Sequence, residues 1–556
     1  MFGFTKKDEV LKVCTISGTN EIGRNCSFLQ FGKEIIVIDA GFSFPGEEMY
    51  GIDYLIPNTK YLREHRENIR GILITHGHLD HIGALPYLLP EWDFPTIYAG
   101  DFAAAIIIEK LKDFGMDKKV NIKIVKKGDK VTLGAFNATF IGITHSIPDS
   151  HSIFIESPKG NVFFSGDYKI DDAPTNEPLI DREMFKSLRG RIDLAMLEST
   201  NSYREGKAQS ESVIAQNLET IVRNHNGRVI VAAFASLVTR IYSVMQIAKK
   251  TGRKVVVNGR SLDTNLKIAL KQRYIEIPED LIISSREMKK YPDNQILVMS
   301  TGGQAERYGG LNRIALGENK DIIVKKGDLV IMSASEIPEN ISKIEKMTDR
   351  LIRQGVELIK NADEEVHASG HGLKEDMKMF YELIQPKYIM PVHGSLTFRY
   401  QNRKNYISWG HKPEDVLLTE DGMVWQFDGE KWGRTVSIES KPMLIDGLGV
   451  RDVGDIVLRD RKQLAEYGMF IVILNLSQKT KHLIANPKFV SRGFIYMRTG
   501  KAMLQEIDTI VRDTHREWLG HTNPRIDELT DELEHRVAKF IFKKTEREPI
   551  IIPVIL

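Results

Sequence analysis

The sequence predicts a layered α/β protein in several domains. A first α/β domain is interrupted by a second, parallel α/β domain, and a small α+β domain closes the chain. Three observations carry this. A chain of 556 residues is too long for a single core. Short apolar, β-branched runs in the first 200 residues, and again near 390, each lead to a polar residue able to bind a metal. Between 206 and 365 the pattern lengthens into regular strand–helix alternation.

The runs at 34–38, 71–75, 138–144, 161–165, 194–197 and 388–392 are expected strands, followed by Asp39, His76, His145, Asp167, Glu198 and His393. Layered α/β proteins build their sites at strand ends, where loops converge. Six such placements are hard to assign to chance. The middle region is expected to form strands at 227–233, 254–257, 296–300 and 329–333, with helices at 240–250, 262–271 and 341–355. Because His393 follows this region, it reads as an insertion. The expected division is 1–205 and 366–432 for the first domain, 206–365 for the insert, 433–462 for an irregular linker, and 463–556 for the C-terminal domain. In the last part, strands are expected at 469–476, 493–497 and 550–555. Two helices carry apolar stripes, Leu504, Ile507, Ile510 and Val511, then Ile526, Leu529, Leu533, Val537 and Phe540, which read as core-facing.

Composition excludes some classes. Hydrophobic residues make up 42% and charged residues 27% of the chain, as in globular proteins. The start, Met1-Phe2-Gly3-Phe4-Thr5-Lys6-Lys7-Asp8, does not read as a signal peptide, and no apolar run is long enough to span a membrane. Two cysteines, Cys14 and Cys26, cannot build a disulfide framework, which suits a cytoplasmic protein. The net charge of +2 is nearly neutral, so a nucleic-acid surface would have to be a local groove.

The densest signal is Thr75-His76-Gly77-His78-Leu79-Asp80-His81, with three of the fifteen histidines in six residues. Imidazole and carboxylate are the ligands that borderline divalent cations take. On a tight strand-to-helix turn, His76 and His78 can serve one cation, and Asp80 and His81 a second beside it. A lone His145, Asp167 or His393 would ordinarily be a structural residue. As a set they are better explained together.

These residues resemble the metallo-β-lactamase superfamily: H-x-H-x-D-H, a lone His, a Gly-Asp and a late His, in that order. The insert resembles the β-CASP domain of its nucleic-acid-processing branch, and the fullest resemblance is to the bacterial ribonuclease J family. It rests also on Gly51-Ile52-Asp53-Tyr54, on the run from Thr144 to Ser150, on Val366-His367-Ala368-Ser369-Gly370-His371-Gly372, on Ile456-Val457-Leu458-Arg459-Asp460-Arg461 and on Ser491-Arg492-Gly493-Phe494. The resemblance implies an αββα metallo-β-lactamase sandwich carrying the β-CASP insert. It implies a metal-dependent ribonuclease acting from 5′ ends and internally in RNA maturation and decay. It assigns His76, His78 and His145 to one divalent cation (Zn²⁺ or Mn²⁺), Asp80, His81 and His393 to the other, and Asp167 to both.

Two such cations acidify water and neutralise phosphate oxygens. The RNA 3′ oxygen that leaves needs a proton, for which His371 is the candidate general acid, oriented by Glu198. Asp80 is counted with these catalytic groups. By resemblance the loop His367, Ala368, Ser369, Gly370 and His371 contacts RNA, and its glycine lets amides approach a 5′ monophosphate. Phe234, with Ser236 beside it, is placed to stack a base and Arg260 to meet phosphate; a core role for Phe234 is equally open. Asp53 and Asp446 are a candidate structural Ca²⁺ pair, against an ordinary turn role.

Relatives form dimers and tetramers, so a homodimer or homotetramer is expected, with a paralogous subunit or an RNA-decay complex as further partners. The chain departs from the family where Thr239 precedes Arg240, at 301–307 and at 336–340, loops expected to line the RNA channel. Two other readings stand beside this one: a small-molecule hydrolase of the same superfamily, and a weakly active scaffold subunit of an RNA-decay assembly.

Overall fold

The computed structural model describes residues 10–46, 48–337, 340–447, 449–450, 455–494 and 501–556. Two compact units emerge. One holds Ile56–Pro442 with the segment up to Ser43; the other joins Phe44–Leu55 to Met443–Leu556.

The first unit is built on two sheets. An eight-stranded sheet runs in the order Trp432–Arg434, Val424–Phe427, Leu11–Ser17, Cys26–Phe31, Glu34–Ile38, Ile69–Leu73, Ile97–Ala99, Ile122–Ile124. A six-stranded sheet runs Tyr388–Val392, Leu194–Glu198, Asn161–Phe164, His151–Glu156, Phe136–Gly142, Lys130–Leu133. Leu11, Val13, Ile36 and Leu73 of the first meet Phe140, Ile153, Ile155, Val162 and Met196 of the second in one buried cluster. The alternation of side chains along a strand then sets the other face. Ile141, Phe154, Phe163, Ala195 and Leu197 point the opposite way and pack on Phe185, Phe380, Ile384 and Tyr406 from helices. Helix Asp101–Lys112 buries Phe102, Ala103, Ile106, Ile107 and Leu111. This is the expected αββα sandwich.

The insert is a five-stranded, all-parallel sheet in the order Lys254–Asn258, Ile296–Ser300, Val229–Ala232, Leu329–Met332, Glu357–Lys360. The last strand, 357–360, was not foreseen, since its alternating charge hides it. After it the chain returns to the sandwich, where Tyr388–Val392 pairs in parallel with Leu194–Glu198 and brings Val392 opposite Glu198. That register sets the ends of two strands, and hence Glu198 and His393, side by side.

Several strands stop short of the ligand residue. Ile69–Leu73 ends before Thr75 because the Thr75 N–H leaves the ladder to donate to Asp39 Oδ1 at 2.8 Å. The stretch 433–462, expected as linker, is largely structured. Its first residues complete the edge strand Trp432–Arg434, Met443–Asp446 is a strand, and Asp455–Tyr467 is a helix. Gly and Pro punctuation there marks turns between elements rather than a loose tether.

In the second unit Met469–Leu474 pairs antiparallel with Lys488–Arg492 and in parallel with Ile550–Ile555. The strand expected at 493–497 ends at Arg492, and 495–497 lie outside the described residues. Helices Lys501–Leu519 and Ile526–Thr545 bury Ile507, Val511 and Trp518, and Leu529, Leu533, Val537 and Ile541, against that sheet. Both stripes face a core, except that Ile526 is exposed. Residues 44–55 belong here: Asp53 N–H donates to Ile445 O, and Arg461 Nη1 donates to Tyr50 O.

Candidate metal centre

The site begins with Asp39, at the end of strand Glu34–Ile38 and in left-handed conformation at φ 59°. Its carboxylate accepts from Thr75 N–H, from Thr75 Oγ1 at 2.8 Å and from His81 Nδ1 at 2.7 Å. That pairing fixes the His81 tautomer: Nδ1 carries the proton, and Nε2 presents a lone pair. Because the Thr75 hydroxyl donates to Asp39, its oxygen accepts from His76 Nδ1 at 3.1 Å, which leaves His76 Nε2 bare as well. His145 Nδ1 donates to Gly370 O at 2.6 Å, with the same result for its Nε2.

These bare nitrogens converge. His76 Nε2 and His145 Nε2 each stand 3.1 Å from His78 Nδ1. Ligands held at about 2.1 Å around a tetrahedral cation lie about 3.4 Å apart, so this spacing suits one ion. The second set has His81 Nε2 3.4 Å and His393 Nε2 3.3 Å from Asp80 Oδ2. Asp167 Oδ2 faces both sets, 3.7 Å from His76 Nε2, 3.2 Å from His81 Nε2 and 3.6 Å from His393 Nε2. His76, His78, His145 and Asp167 thus offer ligand atoms within 4.8 Å of one another, and so do Asp80, His81, Asp167 and His393. Three neutral imidazoles with inward lone pairs, then two carboxylates with two imidazoles, are the donor chemistry of a divalent pair.

Electrostatics follow the same division. Burial pulls the His78 imidazole down to about 4 and lowers those of His76 and His145 well below the ordinary value, so all three are neutral. At His81 burial works the same way, but Asp167, Asp80 and Asp39 more than offset it and raise its pKa well above the ordinary value. That half of the site attracts positive charge: a second proton on His81 Nε2 when no cation is bound, which a bound cation would displace to use that nitrogen's lone pair.

The metal loop leaves no room behind it. A Cβ on Gly41 would sit 1.6 Å from Asp80 O, and Ala40 N–H already donates to His81 O. Asn25 donates through Nδ2 to Asp80 O at 3.1 Å and stands 3.0 Å from His81 Nε2. Asn25 and Gly41 were missed in the sequence, and Asp39 was read only as a strand end, since an Asp, an Asn and a Gly in loops look like turn residues. His393, at φ 52°, is held by its N–H on Gly18 O and its Nδ1 beside Thr200 Oγ1 at 2.9 Å.

His371 lies next to the cluster. Its Nδ1 is 2.7 Å from Glu198 Oε2, and its ring is 5.0 Å from His145 and 5.6 Å from His393. Glu198 is fixed in turn by Tyr168 N–H at 2.6 Å. Burial disfavours the imidazolium of His371, and the carboxylates of Glu198, Asp167 and Asp80, Glu198 foremost, outweigh it and push the pKa up to about 9. The loop before it is tied to the site. Asn201 Nδ2 donates to Ser369 Oγ and to His371 O, and a Cβ on Gly370 would meet Ser146 Oγ at 2.8 Å.

Other expected residues are placed less directly. Ala368 is buried, so only its main chain can reach a ligand. Phe234 is half-buried, with its ring centroid 6.3 Å from that of His367, and Ser236 is half-buried beside it. Arg260 is exposed on the first turn of helix Arg260–Lys271. Thr239 and Arg240 do not line a channel: Arg240 is fully buried, paired with Glu211 at 2.9 Å and donating to Val366 O at 2.7 Å, which anchors the 367–371 loop from below. Of 301–307, Gly302 to Ala305 are buried and Glu306 and Arg307 exposed; of 336–340, Pro338 and Glu339 lie outside the described residues. Asp53 Oδ2 accepts from Gly447 N–H at 2.8 Å and Asp446 pairs with Arg461 at 2.7 Å, so protein donors already engage both carboxylates.

Residues 19–194 match the metallo-beta-lactamase superfamily, 226–351 the ribonuclease J beta-CASP domain, 361–397 the Zn-dependent metallo-hydrolase RNA specificity domain, and 456–556 the ribonuclease J C-terminal domain. Ribonuclease J 1 of Streptococcus pyogenes is 33% identical over 100% of this chain and 99% of its own length. This chain belongs to the ribonuclease J family. Ribonuclease J2 of Bacillus subtilis is 33% identical and Ribonuclease J 2 of Staphylococcus saprophyticus 34% identical, each over 99% of both chains. A crystal structure of a protein of unknown function from Enterococcus faecalis, 15% identical, aligns with a TM-score of 0.54 over 75% of this chain and 100% of its own, a likeness of fold. As a ribonuclease J the chain is a metal-dependent, RNA-cleaving hydrolase, and RNA is its substrate. Among the described residues no helix is long and apolar enough to cross a membrane.

The ribonuclease J scaffold makes one residue outside the ligand set testable. Asp39→Asn keeps size but weakens the hold on His81 Nδ1–H, and loss of such an outer partner costs about 10–100-fold in metal affinity. Titration of the metal-stripped protein with Zn²⁺ should show that loss at one of two sites. Two unchanged affinities would contradict the role given to Asp39.

Proposed function

We propose that this member of the ribonuclease J family removes nucleotides from 5′-monophosphorylated RNA and also cuts internally, at a centre of two divalent cations, Zn²⁺ or Mn²⁺. The observation that carries the reading is the single carboxylate of Asp167 facing both sets of bare imidazole nitrogens. His76, His78 and His145 would hold one cation, Asp80, His81 and His393 the other, and Asp167 both. When bound, such a pair supplies Lewis acidity for water activation and neutralises phosphate charge.

The chain's own groups do the rest. Asp80 is the ligand carboxylate most open to solvent, with 29% of its side chain exposed, and orients the attacking water by accepting its hydrogen bond. His371, charged near neutral pH, gives its Nε2 proton to the departing 3′ oxygen, while Glu198 holds Nδ1 and steadies the ring. The amides and hydroxyl around Ser369 and Gly370 receive the 5′ phosphate, and Phe234 with His367 forms an aromatic wall for a base. The protein would work in the cytoplasm in RNA maturation and decay, as a homodimer or homotetramer.

The test uses one RNA, 5′-labelled and carrying either a monophosphate or a triphosphate, with Mn²⁺ or Zn²⁺. Wild-type protein should release labelled mononucleotide from the monophosphate form, and His78→Ala should release essentially none. Equal cleavage by both proteins would remove the metal-centre reading; cleavage indifferent to the 5′ group would remove the end preference.

A further inference from the structure

A second cavity in the same unit shares no residue with the metal ligands. It measures about 270 Å³ and is lined by Val125, Ile143 and Ile180, by Asp149 and Tyr274, and by Glu177. Its size is near the lower end of small-molecule sites, about 300–1,000 Å³. The metal cluster, by comparison, abuts a cavity of about 50 Å³.

One of its lining side chains is unsatisfied: Glu177 Oε1 is buried without a hydrogen-bond partner. Buried polar atoms in folded proteins are almost always paired, so orphans on a cavity wall point to a partner that arrives with a ligand. Asp149 is not such an orphan, since Phe102 N–H and Tyr274 Oη donate to its Oδ2. Burial pushes the Glu177 carboxyl up to about 8, against the pull of Lys169. Hydrogen-bond donors reaching it from a ligand would favour its ionised form.

The remaining lining narrows the ligand. Aliphatic walls suit a flat ring. An ionised carboxylate only accepts hydrogen bonds, and guanine offers it two adjacent donor groups, N1–H and the N2 amine. Adenine and uracil do not present that pair. Lys126 and Lys127, both exposed, also line the cavity, as does Asp101; Lys127 Nζ pairs with Asp181 at 3.7 Å, an exposed contact that a phosphate can replace. Two exposed lysines on the lining fit a phosphate that stays in solvent.

We propose that this cavity is a guanine-nucleotide site separate from the metal centre, with Glu177 reading the base and Lys126 and Lys127 meeting the phosphate. It lies behind the run that carries His145, since Ile143, Asp149 and Ser150 form part of its wall.

Calorimetric titration of the full chain with GMP, AMP and UMP tests this without any cleavage assay, so its failure leaves the nuclease reading untouched. GMP should bind one per chain, at least tenfold more tightly than AMP or UMP. Glu177→Gln should weaken GMP at least tenfold, and Leu179→Trp, at an exposed rim position, should do the same by blocking the mouth, both with unchanged melting temperature and RNA cleavage. No GMP binding up to millimolar concentration, equal binding of the three nucleotides, or wild-type affinity in both variants would overturn the proposal.

Discussion

Asp167→Ala is expected to lower RNA cleavage by at least about 10³-fold, the scale on which a single preorganised electrostatic group acts in catalysis. Among the described residues its Oδ2 is the one carboxylate atom within 3.7 Å of nitrogens in both half-sites. Losing it should therefore disturb two cations at once, where loss of His78 disturbs one. Metal analysis of purified protein separates the cases: Asp167→Ala should retain at most one equivalent, with the remaining ion weakly held. Asp167→Asn should rescue little, because the amide restores shape but not charge, and charge is what His81 and His393 answer to. Burial opposes ionisation of Asp167, and the His393 and His81 imidazoles overcome it and lower its pKa well below the ordinary carboxylate value. A variant with two tightly bound cations and cleavage within tenfold of wild type would end the shared-ligand reading.

The parts of this fold that could be read from sequence are those written locally. An apolar run ending in His or Asp is visible within ten residues, and the six expected strands all form, with Glu34–Ile38 and Tyr388–Val392 at their expected bounds. The seven ligand candidates could be named because they follow such runs, and the structure brings all seven together. What stayed hidden depends on partners far along the chain. Asp39 matters through Thr75, 36 residues away, and Arg240 through Val366, 126 residues away. Nothing local to Arg240 says that it will be buried under a loop rather than facing RNA. Segment 44–55 is linked in the sequence to the domain some four hundred residues later only through the candidate pair Asp53 and Asp446, although Gly51 to Tyr54 and Ile456 to Arg461 each stand out as motifs. Arg461 explains both: it donates to Tyr50 O and pairs with Asp446, so the two motifs are halves of one junction.

His371→Ala should lower cleavage of RNA by about 10²–10⁴-fold, the range for loss of a positioned general acid. A structural role for His371 would predict some loss too, so the leaving group must be varied. A phosphodiester that expels p-nitrophenolate needs no proton on departure. Against that substrate the His371→Ala defect should shrink to within about tenfold, whereas a distorted site would be equally poor on both. The pH profile gives a second handle. His371 must be protonated to act, and the Glu198 carboxylate raises its pKa, so wild-type activity should fall on the alkaline side as the imidazolium loses its proton. Glu198→Gln removes the carboxylate that offsets burial. The imidazolium then loses its proton at lower pH, and the alkaline limb should move down, with activity at pH 6 recovering relative to pH 8. The Glu198 contribution acts through a 2.7 Å hydrogen bond on Nδ1, so its direction holds even where bound cations neutralise Asp80 and Asp167. An alkaline limb that stays in place in Glu198→Gln, or an equal defect of His371→Ala on both substrates, would move the proton-donor role away from His371.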